Sequence, residues 1–315
     1  MSKKRRGLLI YNPNAGRFPS RILVDRAACV LNGLGWEMGI AQAFSGEHIT
    51  ELARQAGAHG MDGVFVVGGD GSLNLALRGL LGTETALGVL PAGTANVWAQ
   101  ELGLPGLNWT RLMALEESAR RLASAPTRWV DIGLINQVPF LLWAGMGLDG
   151  FIVNRIEPRG RWEKVFSMLH YGAASILEAG FWHGMNLTVV VDGYPIQGHF
   201  LLSLASNIHL YAGGLVNISP NALIDDGEMD LWLFKGDTLI DATRAAWDLL
   251  YGRHVSSQQV LYKPFYELSV ESVSPAFFQV DGEPLKLDGK IHLRVCQRAI
   301  KVFLPENTPR QLIKG

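Results

Sequence analysis

Apolar and polar positions follow two different patterns along the 315-residue chain. From residue 7 to about residue 125, a short apolar run, a glycine- or proline-containing turn and a stretch of helical spacing alternate repeatedly. Residues 64–67, for example, read as a buried parallel strand, and helical periodicity follows over 73–81. Such alternation predicts right-handed βαβ units and a parallel sheet covered by helices. The predicted strands cover 8–11, 37–43, 64–67 and 87–90. The predicted helices cover 22–34, 47–57 and 73–81, and a further one follows the turn at 91–96 and runs through Leu102.

After Pro126 the strand-like stretches follow one another with few helices between them. Two-residue turns such as Asp192-Gly193 and Asp281-Gly282 join some of them, which indicates antiparallel pairing in a sandwich or barrel. The predicted strands are 129–135, 139–144, 185–191, 194–204, 229–234, 267–273, 277–280, 291–295 and 300–303, with helices at 162–179 and 239–250.

The chain length also favours two domains, at about 150 residues each. We therefore predict an α/β N-terminal domain with a parallel sheet over residues 1–128 and a mainly antiparallel β-sandwich C-terminal domain over 129–315. The pattern leaves open whether the last residues pack back on the first domain.

Composition narrows the class of protein. A formal net charge of −1 argues against a nucleic-acid partner, which usually requires a basic face. Cys29 and Cys296 are isolated, with no metal-ligand spacing or disulfide framework, so we expect a reducing, cytoplasmic setting. The apolar run at residues 7–11 is too short for a signal-peptide core, and no run reaches the roughly 18–20 residues of a membrane span, so we expect a protein that is neither secreted nor integral.

The turn Gly68-Gly69-Asp70-Gly71-Ser72 lies between a predicted strand and a predicted helix. Glycines let backbone N–H groups approach a phosphate, and the helix N-terminus adds a partial positive charge. An ordinary tight βα turn is the alternative. Asp70 would repel a phosphate unless it holds a cation, a metal ion or a hydroxyl, so its presence points to metal-assisted phosphoryl chemistry. Similar turns at 12–16 and 91–96 would open on the same edge of a parallel sheet, where ligands collect.

These turns, in this order, resemble the catalytic domain of the soluble diacylglycerol kinase family, which includes sphingosine, ceramide and bacterial lipid kinases. The matching blocks span nearly the whole chain. They are Asn12-Pro13-x-x-Gly16, Gly69-Asp70-Gly71-Ser72-x-Asn74, Pro91-x-Gly93-Thr94-x-Asn96, Val130-Asp131-Ile132-Gly133, Gly145-x-Gly147-x-Asp149, Pro220-x-Ala222-x-x-Asp225-Asp226-Gly227 and Val280-Asp281-Gly282-Glu283-Pro284.

The resemblance implies a fold like that of NAD kinases and diacylglycerol kinases, with ATP bound in a cleft between a nucleotide domain and a lipid domain. Carried over by position, the ATP-binding residues would be Asn12, Pro13, Gly16, Gly69, Asp70, Gly71, Ser72, Asn74, Gly93, Thr94 and Glu283. Asp281 matches the family's proposed general base, which would accept the hydroxyl proton as the phosphoryl bond forms. Without the resemblance, Asp281-Gly282 would read as a plain type I′ hairpin turn.

The resemblance also implies Mg²⁺. Asp226 matches a position that holds the ion through its side chain, with the backbone carbonyls of Leu223 and Glu228, and such oxygen ligands suit magnesium. An Asp-Asp-Gly turn between strands is the alternative. Asp131 and Asn96 match a supporting network, but Val97 stands where the family commonly has an acid. That departure leaves diacylglycerol specificity open.

An aromatic segment with basic neighbours suggests contact with a bilayer, although an ordinary amphipathic helix over the β-rich domain is the alternative. Its basic residues are Arg155, Arg159, Arg161 and Lys164. Its apolar residues are Trp162, Phe166, Leu169, Tyr171, Ile176, Phe181 and Trp182.

We therefore expect an ATP- and Mg²⁺-dependent lipid kinase, cytoplasmic and peripherally membrane-associated during turnover, with a lipid substrate at the membrane surface as its partner. The lipid class is open between diacylglycerol-like, sphingoid and phosphatidylglycerol acceptors, and a homodimer is also open. An NAD kinase, which carries a similar Gly-Gly-Asp-Gly turn, and a non-catalytic nucleotide- or lipid-binding regulator are the alternatives.

Overall fold

The computed structural model describes residues 4–13, 21–107, 110–156, 182–272, 277–287 and 289–314. The chain divides into two compact units. Unit 1 comprises Met1–Val130, Arg298–Arg310 and Gly315, and unit 2 comprises Asp131–Gln297 and Gln311–Lys314. The boundary after residue 128 stays a prediction.

Unit 1 is an α/β unit in which strands and helices alternate along the chain. Its strands are β1 (Arg5–Tyr11), β2 (Trp36–Gln42), β3 (Gly63–Gly68) and β4 (Ala86–Pro91), and its helices are α1 (Arg21–Gly33), α2 (Gly46–Ala58), α3 (Asp70–Leu80), α4 (Val97–Glu101) and α5 (Ala114–Ala123). The strands pair in parallel in the order β4, β3, β1, β2. Every residue of β3 and β4 is buried, as expected of strands covered on both faces. The predicted parallel sheet is confirmed.

Aromatic side chains fill the core of unit 1. The Trp36 ring meets the Phe65 ring edge-on at 5.1 Å, and Phe65 stacks on Phe303 at 5.0 Å. Phe303 comes from the C-terminal part of the chain, where Val302 pairs in parallel with Leu87 of β4. Residues near the C-terminus therefore complete the sheet of unit 1.

Unit 2 is built mainly from antiparallel strands. Its strands are β5 (Thr127–Ile135), which begins in unit 1, β6 (Val138–Phe140), β7 (Trp143–Gly147), β8 (Met185–Val191), β9 (Tyr194–Ser206), β10 (Leu210–Tyr211), β11 (Val216–Asn217), β12 (Met229–Lys235), β13 (Val260–Phe265), β14 (Glu267–Ser272), β15 (Phe278–Val280), β16 (Glu283–Leu285) and β17 (Ile291–Phe303), which ends in unit 1. Its helices are α6 (Leu148–Ile156) and α7 (Leu239–Leu250).

Strand β9 organises the pairing in unit 2. Its first half pairs with β8, and its second half pairs with β7 on one side and β12 on the other. Strand β15 extends the sheet beyond β7 and forms a hairpin with β16. The predicted antiparallel architecture is confirmed, and the hairpin places the Asp281-Gly282 turn next to the start of β7.

Some elements differ from the prediction. The predicted strand at 139–144 is divided between β6 and β7, and the predicted strands at 291–295 and 300–303 are one strand, β17. Helix α6 was not predicted, and the predicted helix at 162–179 lies outside the described residues. No helix in the described part of the chain is long and apolar enough to cross a membrane.

Candidate active site

The glycine-rich turns of unit 1 come together at the carboxyl edge of its sheet. In the register of the sheet, Tyr11 at the end of β1 pairs with Val67, and Gly68 at the end of β3 pairs with Pro91. The turns after these strands are therefore neighbours. Asn12 and Pro13 follow β1 directly, whereas the predicted site residue Gly16 lies outside the described residues.

The turns at Gly69 and Gly93 touch through their backbones. A Cβ added to Gly93 would lie 2.6 Å from the Gly69 Cα, closer than real Cβ atoms come. Only glycine therefore fits at this contact. Gly69 is the N-cap residue of α3, and Gly71 and Ser72 lie in the first turn of that helix, so backbone N–H groups collect beside the third glycine turn, at Gly93.

The carboxylate of Asp70 caps a helix. Asp70 is the first residue of α3, and its two oxygens accept hydrogen bonds from the backbone N–H groups of Val97 (2.9 Å) and Trp98 (3.1 Å), the first two residues of α4. Burial raises the pKa of the Asp70 carboxyl, and these two N–H donors oppose the rise. The sequence predicts a cation, a metal ion or a hydroxyl at this acid, but the structure places a helix N-terminus there. The assignment of Asp70 to ATP binding stays a prediction.

Asn96 closes the third glycine turn. Its Oδ1 accepts the Gly93 N–H at 2.8 Å, its Nδ2 donates to the Gly93 carbonyl at 2.9 Å, and its backbone is left-handed at φ 54°. The Val97 side chain is 2% exposed. An acid at position 97 would therefore be buried next to Asp70, so the valine removes a like charge from this corner of unit 1.

The remaining predicted residues of unit 1 lie on the same two turns. Asn74 is buried one helical turn into α3, where its Oδ1 accepts a hydrogen bond from Arg78, and Thr94 is exposed on the third glycine turn. Exposed hydroxyl and backbone groups around a turn of this kind can wrap a polyphosphate without adding bulk.

In unit 2, the Asp281 carboxylate is held by three backbone N–H groups. Leu141 donates to Oδ2 at 3.0 Å, and Leu142 and Trp143 donate to Oδ1 at 2.9 and 3.1 Å. The side chain is 7% exposed. Both Asp281 and Gly282 have positive φ, 49° and 83°, in a two-residue hairpin loop between β15 and β16, which is the type I′ geometry. A plain hairpin turn needs no buried carboxylate, so this turn does more than reverse the chain. Glu283 follows it and is exposed at the start of β16.

The same turn geometry occurs a second time in unit 2. Asp192 and Gly193 join β8 to β9 with φ values of 47° and 85°. The Asp192 carboxylate also accepts backbone N–H groups, from Tyr266 and Glu267. This second turn is a natural control for the first.

The loop that carries Asp226 is tied to Asp131. The Asp131 side chain is fully buried, and its Oδ2 accepts the Gly227 N–H at 2.6 Å. Its backbone N–H donates to the Ile224 carbonyl at 2.7 Å. The structure therefore brings two predicted residues together, and Asp131 holds the shape of the Asp226 loop.

A cavity of about 160 Å³ opens beside this loop. Leu223, Asp226, Glu228, Asp230 and Tyr262 are among its lining residues. Burial raises the pKa of the Asp226 carboxyl, and the charges of Glu228 and Asp131 raise it further. The described residues contain no group of three or more His, Cys, Asp or Glu side chains that could hold a metal ion. A site made of one carboxylate, backbone carbonyls and water, as expected for Asp226, uses fewer acids than that, and its hard oxygen donors fit Mg²⁺.

Sequence reasoning missed residues that connect these features. Asn207 is buried, and its Nδ2 donates to the backbone carbonyls of Asp131 and Leu141 at 3.0 and 2.9 Å, which links the Asp226 loop to the segment that holds Asp281. Gln279 and Asp149 hydrogen-bond to each other beside the Asp281 turn. Asp149 lay in a recognised block, but nothing in the local sequence pairs it with Gln279, which is 130 residues away.

The Trp182 side chain is buried, contrary to its predicted place on a membrane-facing surface. It is 8% exposed, its Nε1 donates to the Leu201 carbonyl at 3.0 Å, and its ring packs against Phe151 and Phe277. The assignment of Trp182 to a bilayer-facing surface is therefore wrong, because the ring belongs to the core of unit 2. The side chains of the other residues of that segment, from Arg155 to Phe181, lie outside the described part of the structure.

Comparison with known proteins agrees with this architecture. A family model described as the diacylglycerol kinase catalytic domain matches residues 6–134, and one described as the YegS C-terminal NAD kinase beta sandwich-like domain matches residues 144–304. A putative diacylglycerol kinase of Bacillus anthracis has a similar fold, with a TM-score of 0.79 at 20% identity over 98% of this chain and 100% of that one. These matches define the class of protein, which combines a kinase catalytic domain with a β-sandwich domain.

Sequence similarity to two relatives identifies the family. A diacylglycerol kinase of Bacillus subtilis is 26% identical over 287 residues, covering 89% of this chain and 90% of that protein. A probable YegS-like lipid kinase of Chromohalobacter salexigens is 30% identical over 295 residues, covering 88% and 86%. The chain belongs to the family of diacylglycerol kinases and YegS-like lipid kinases. This confirms the resemblance and favours a lipid kinase over an NAD kinase.

Proposed function

We propose that this protein is an ATP-dependent lipid kinase that transfers the γ-phosphoryl group to a lipid hydroxyl, with Asp281 as the general base. The acceptor is a diacylglycerol-like lipid, a sphingoid base or phosphatidylglycerol. Membership of the lipid kinase family supports the reaction class, and the geometry of unit 2 supports the choice of Asp281.

The observation that carries the proposal is the position of the Asp281 carboxylate. Three backbone donors fix the orientation of the carboxylate, two of them on Oδ1 and one on Oδ2, and an ionised carboxylate acts only as an acceptor. A lipid hydroxyl has a pKa far above neutral and cannot lose its proton in advance, so the carboxylate accepts that proton as the bond to phosphorus forms and the bond from phosphorus to ADP breaks.

The glycine turns of unit 1 have the chemistry that phosphate binding requires. The N-terminus of α3 and the backbone contact between Gly69 and Gly93 present N–H groups at the edge of the sheet. Mg²⁺ would be held by the Asp226 carboxylate and the backbone carbonyls of Leu223 and Glu228. When bound, the ion would supply positive charge that stabilises the loop and favours the binding of phosphate oxygens near it. The loop itself is kept in place by Asp131.

Because the acceptor is a lipid, the proposal includes peripheral contact with a bilayer. Helix α7 offers a surface for it, since Ile240, Trp247 and Tyr251 are 72%, 54% and 64% exposed at helical spacing. The Trp247 and Tyr251 rings stack at 5.5 Å, and Arg253 lies over the Tyr251 ring. Tryptophan and tyrosine are the residues that favour the membrane interface, with arginine at the headgroups.

A kinase assay with γ-labelled ATP over a panel of acceptors tests the proposal. The panel contains diacylglycerol, monoacylglycerol, sphingosine, ceramide and phosphatidylglycerol in mixed micelles, with NAD as a soluble acceptor. We expect label in an organic-extractable lipid and none in NAD. Label in NAD alone would make the protein an NAD kinase, and no labelled product from any acceptor would favour a non-catalytic regulator.

A further inference from the structure

The two glycines of the block Gly145-x-Gly147-x-Asp149 allow the Asp149 side chain to contact Gln279 in unit 2. Gly147, at the end of β7, has a φ of 91°, which turns the chain directly into α6 and brings Asp149 back over β7. Gly145 lies opposite Gln279 in the pairing of β7 with β15. A Cβ on Gly145 would overlap the Asp149 Oδ2 and lie 2.6 Å from the Gln279 Nε2. The missing side chain therefore makes room for the contact between Asp149 and Gln279.

A chain of hydrogen bonds runs from this contact to the Asp281 turn. The Tyr211 hydroxyl and the Gln279 Nε2 both hydrogen-bond to the Asp149 carboxylate. At its other end, the Gln279 Oε1 accepts the Gly282 N–H at 2.9 Å. The Gln279 side chain is fully buried, and both ends of its amide are engaged. The Tyr211 ring also packs edge-on against the Trp143 ring, and the backbone N–H of Trp143 donates to the Asp281 carboxylate.

The Asp281 turn is thus attached on two sides. Three backbone N–H groups of residues 141–143 hold the carboxylate, and Gln279 holds the backbone of the next residue, Gly282. The Asp281 N–H donates to the Trp143 carbonyl at 3.0 Å, which ties the first loop residue to β7, and Gln279 ties the second loop residue, Gly282. The orientation of the turn that carries the Asp281 carboxylate therefore depends in part on the amide of Gln279, and the orientation of that amide depends on Asp149.

We infer that Gln279 is a positioning residue for the Asp281 general base, and that Asp149 sets the direction in which its amide points. The inference rests on the proposed function. Asp149 can only accept hydrogen bonds when ionised, so it selects the rotamer that aims the Gln279 Nε2 inward and the Oε1 at Gly282. The opposite rotamer would place the amide N–H₂ against the Gly282 N–H and release the turn.

Reversing the polarity of the contact tests this inference. Gln279→Glu keeps the size and the acceptor for Gly282 but sets a carboxylate against Asp149, which favours a rotated side chain and a loose turn. Combining it with Asp149→Asn restores a donor and an acceptor, because the introduced amide can donate to the glutamate and accept from Tyr211. Gln258→Glu, at an exposed position of unit 2, is a matched control for the added charge.

The measurements are kcat and KM at pH 8 with the lipid acceptor found in the panel, and hydrogen exchange at the Gly282 amide. We expect Gln279→Glu to lower kcat at least tenfold, to change the KM for ATP less than twofold and to speed Gly282 exchange. The double variant should recover most of the lost kcat and most of the lost protection of the Gly282 amide. Gln258→Glu should match the wild type in both. Lowering the pH should also restore part of the kcat of Gln279→Glu, because the two carboxyl groups that face each other can then share a proton.

Wild-type kcat and wild-type Gly282 exchange in Gln279→Glu would overturn the inference, and so would a double variant no better than the single one. If Gln279→Glu does not fold, Gln279→Met, which lacks the acceptor for Gly282, takes its place in the same measurements. Should the wild type phosphorylate no lipid, the proposed function fails. Gly282 exchange in the three variants then still decides whether Gln279 holds the turn.

Discussion

Asp70 is the residue for which the structure changes the expected role most, and replacing it gives a quantitative test. In Asp70→Ala, the backbone N–H groups of Val97 and Trp98 lose the acceptors that they have at 2.9 and 3.1 Å. Leaving a buried donor unsatisfied costs about 1–3 kcal/mol, and losing a helix cap costs about 1 kcal/mol. Because both hydrogen bonds are only partly buried, each donor should cost about 1–2 kcal/mol, so we expect α4 to open more easily by about 2–4 kcal/mol.

Hydrogen exchange at the two amides measures this cost directly. Since 1.4 kcal/mol corresponds to a factor of ten, protection at Val97 and Trp98 should fall roughly 30- to 1,000-fold. Asp70→Asn keeps one oxygen as an acceptor and should lose less. Asp25→Ala, which removes an exposed ion pair with Arg21 on α1, should leave both amides unchanged.

The pH dependence provides a second readout for the same residue. Because burial raises the folded-state pKa of the Asp70 carboxyl above that of an exposed aspartate, its contribution to stability is complete below the pKa of the unfolded state and is lost as the pH rises through the raised pKa. Asp70→Asn should remove this part of the pH dependence. Unchanged protection in Asp70→Ala, together with loss of Mg-ATP binding, would refute the capping role and restore the expectation of a cation, a metal ion or a hydroxyl at this acid.

Two further predictions concern unit 2. Mg²⁺ should raise the thermal unfolding temperature of the wild type, and Asp226→Asn should remove that rise. The control Asp225→Asn, in the same loop, should keep it. An equal rise in all three proteins would exclude the site at Asp226. Trp247→Ser should reduce the fraction of protein that sediments with vesicles of phosphatidylcholine and phosphatidylglycerol several-fold. Tyr194→Ser, at a residue that is 72% exposed elsewhere in unit 2, should not reduce it. An equal reduction in both variants would argue against α7 as the membrane surface.

The sequence predicted unit 1 well because its elements are set by local pattern. Strand β3 is an apolar run bounded by glycines, and both α1 and α2 show the expected periodicity. Where the prediction failed, local signals conflicted with tertiary structure. Helix α6 contains Gly150 and branched residues that lower helix propensity. Strand β13 contains Pro264 and pairs only with β12 among the described strands, an edge position that tolerates proline.

The candidate site was predictable as a set of residues but not as an arrangement. The Asp281-Gly282 turn is visible in the sequence, yet its three N–H donors lie 138 to 140 residues earlier in the chain. Gln279 carries no signal of its own, because a glutamine in a short strand reads as an ordinary polar position. Long-range hydrogen bonds of this kind follow from the pairing of β7 with β15, which no local pattern encodes.

The most direct test of the account compares the two Asp-Gly turns of unit 2. Asp281→Asn and Asp192→Asn make the same change in the same type I′ geometry, and each removes a charged acceptor of backbone N–H groups. Their effects on folding should therefore be similar in kind. We predict that Asp281→Asn lowers kcat for lipid phosphorylation by roughly 10²–10⁴ at unchanged ATP affinity, as expected for loss of a general base, while Asp192→Asn stays close to the wild type. Equal kcat values for the two variants would contradict the assignment of Asp281 as the base.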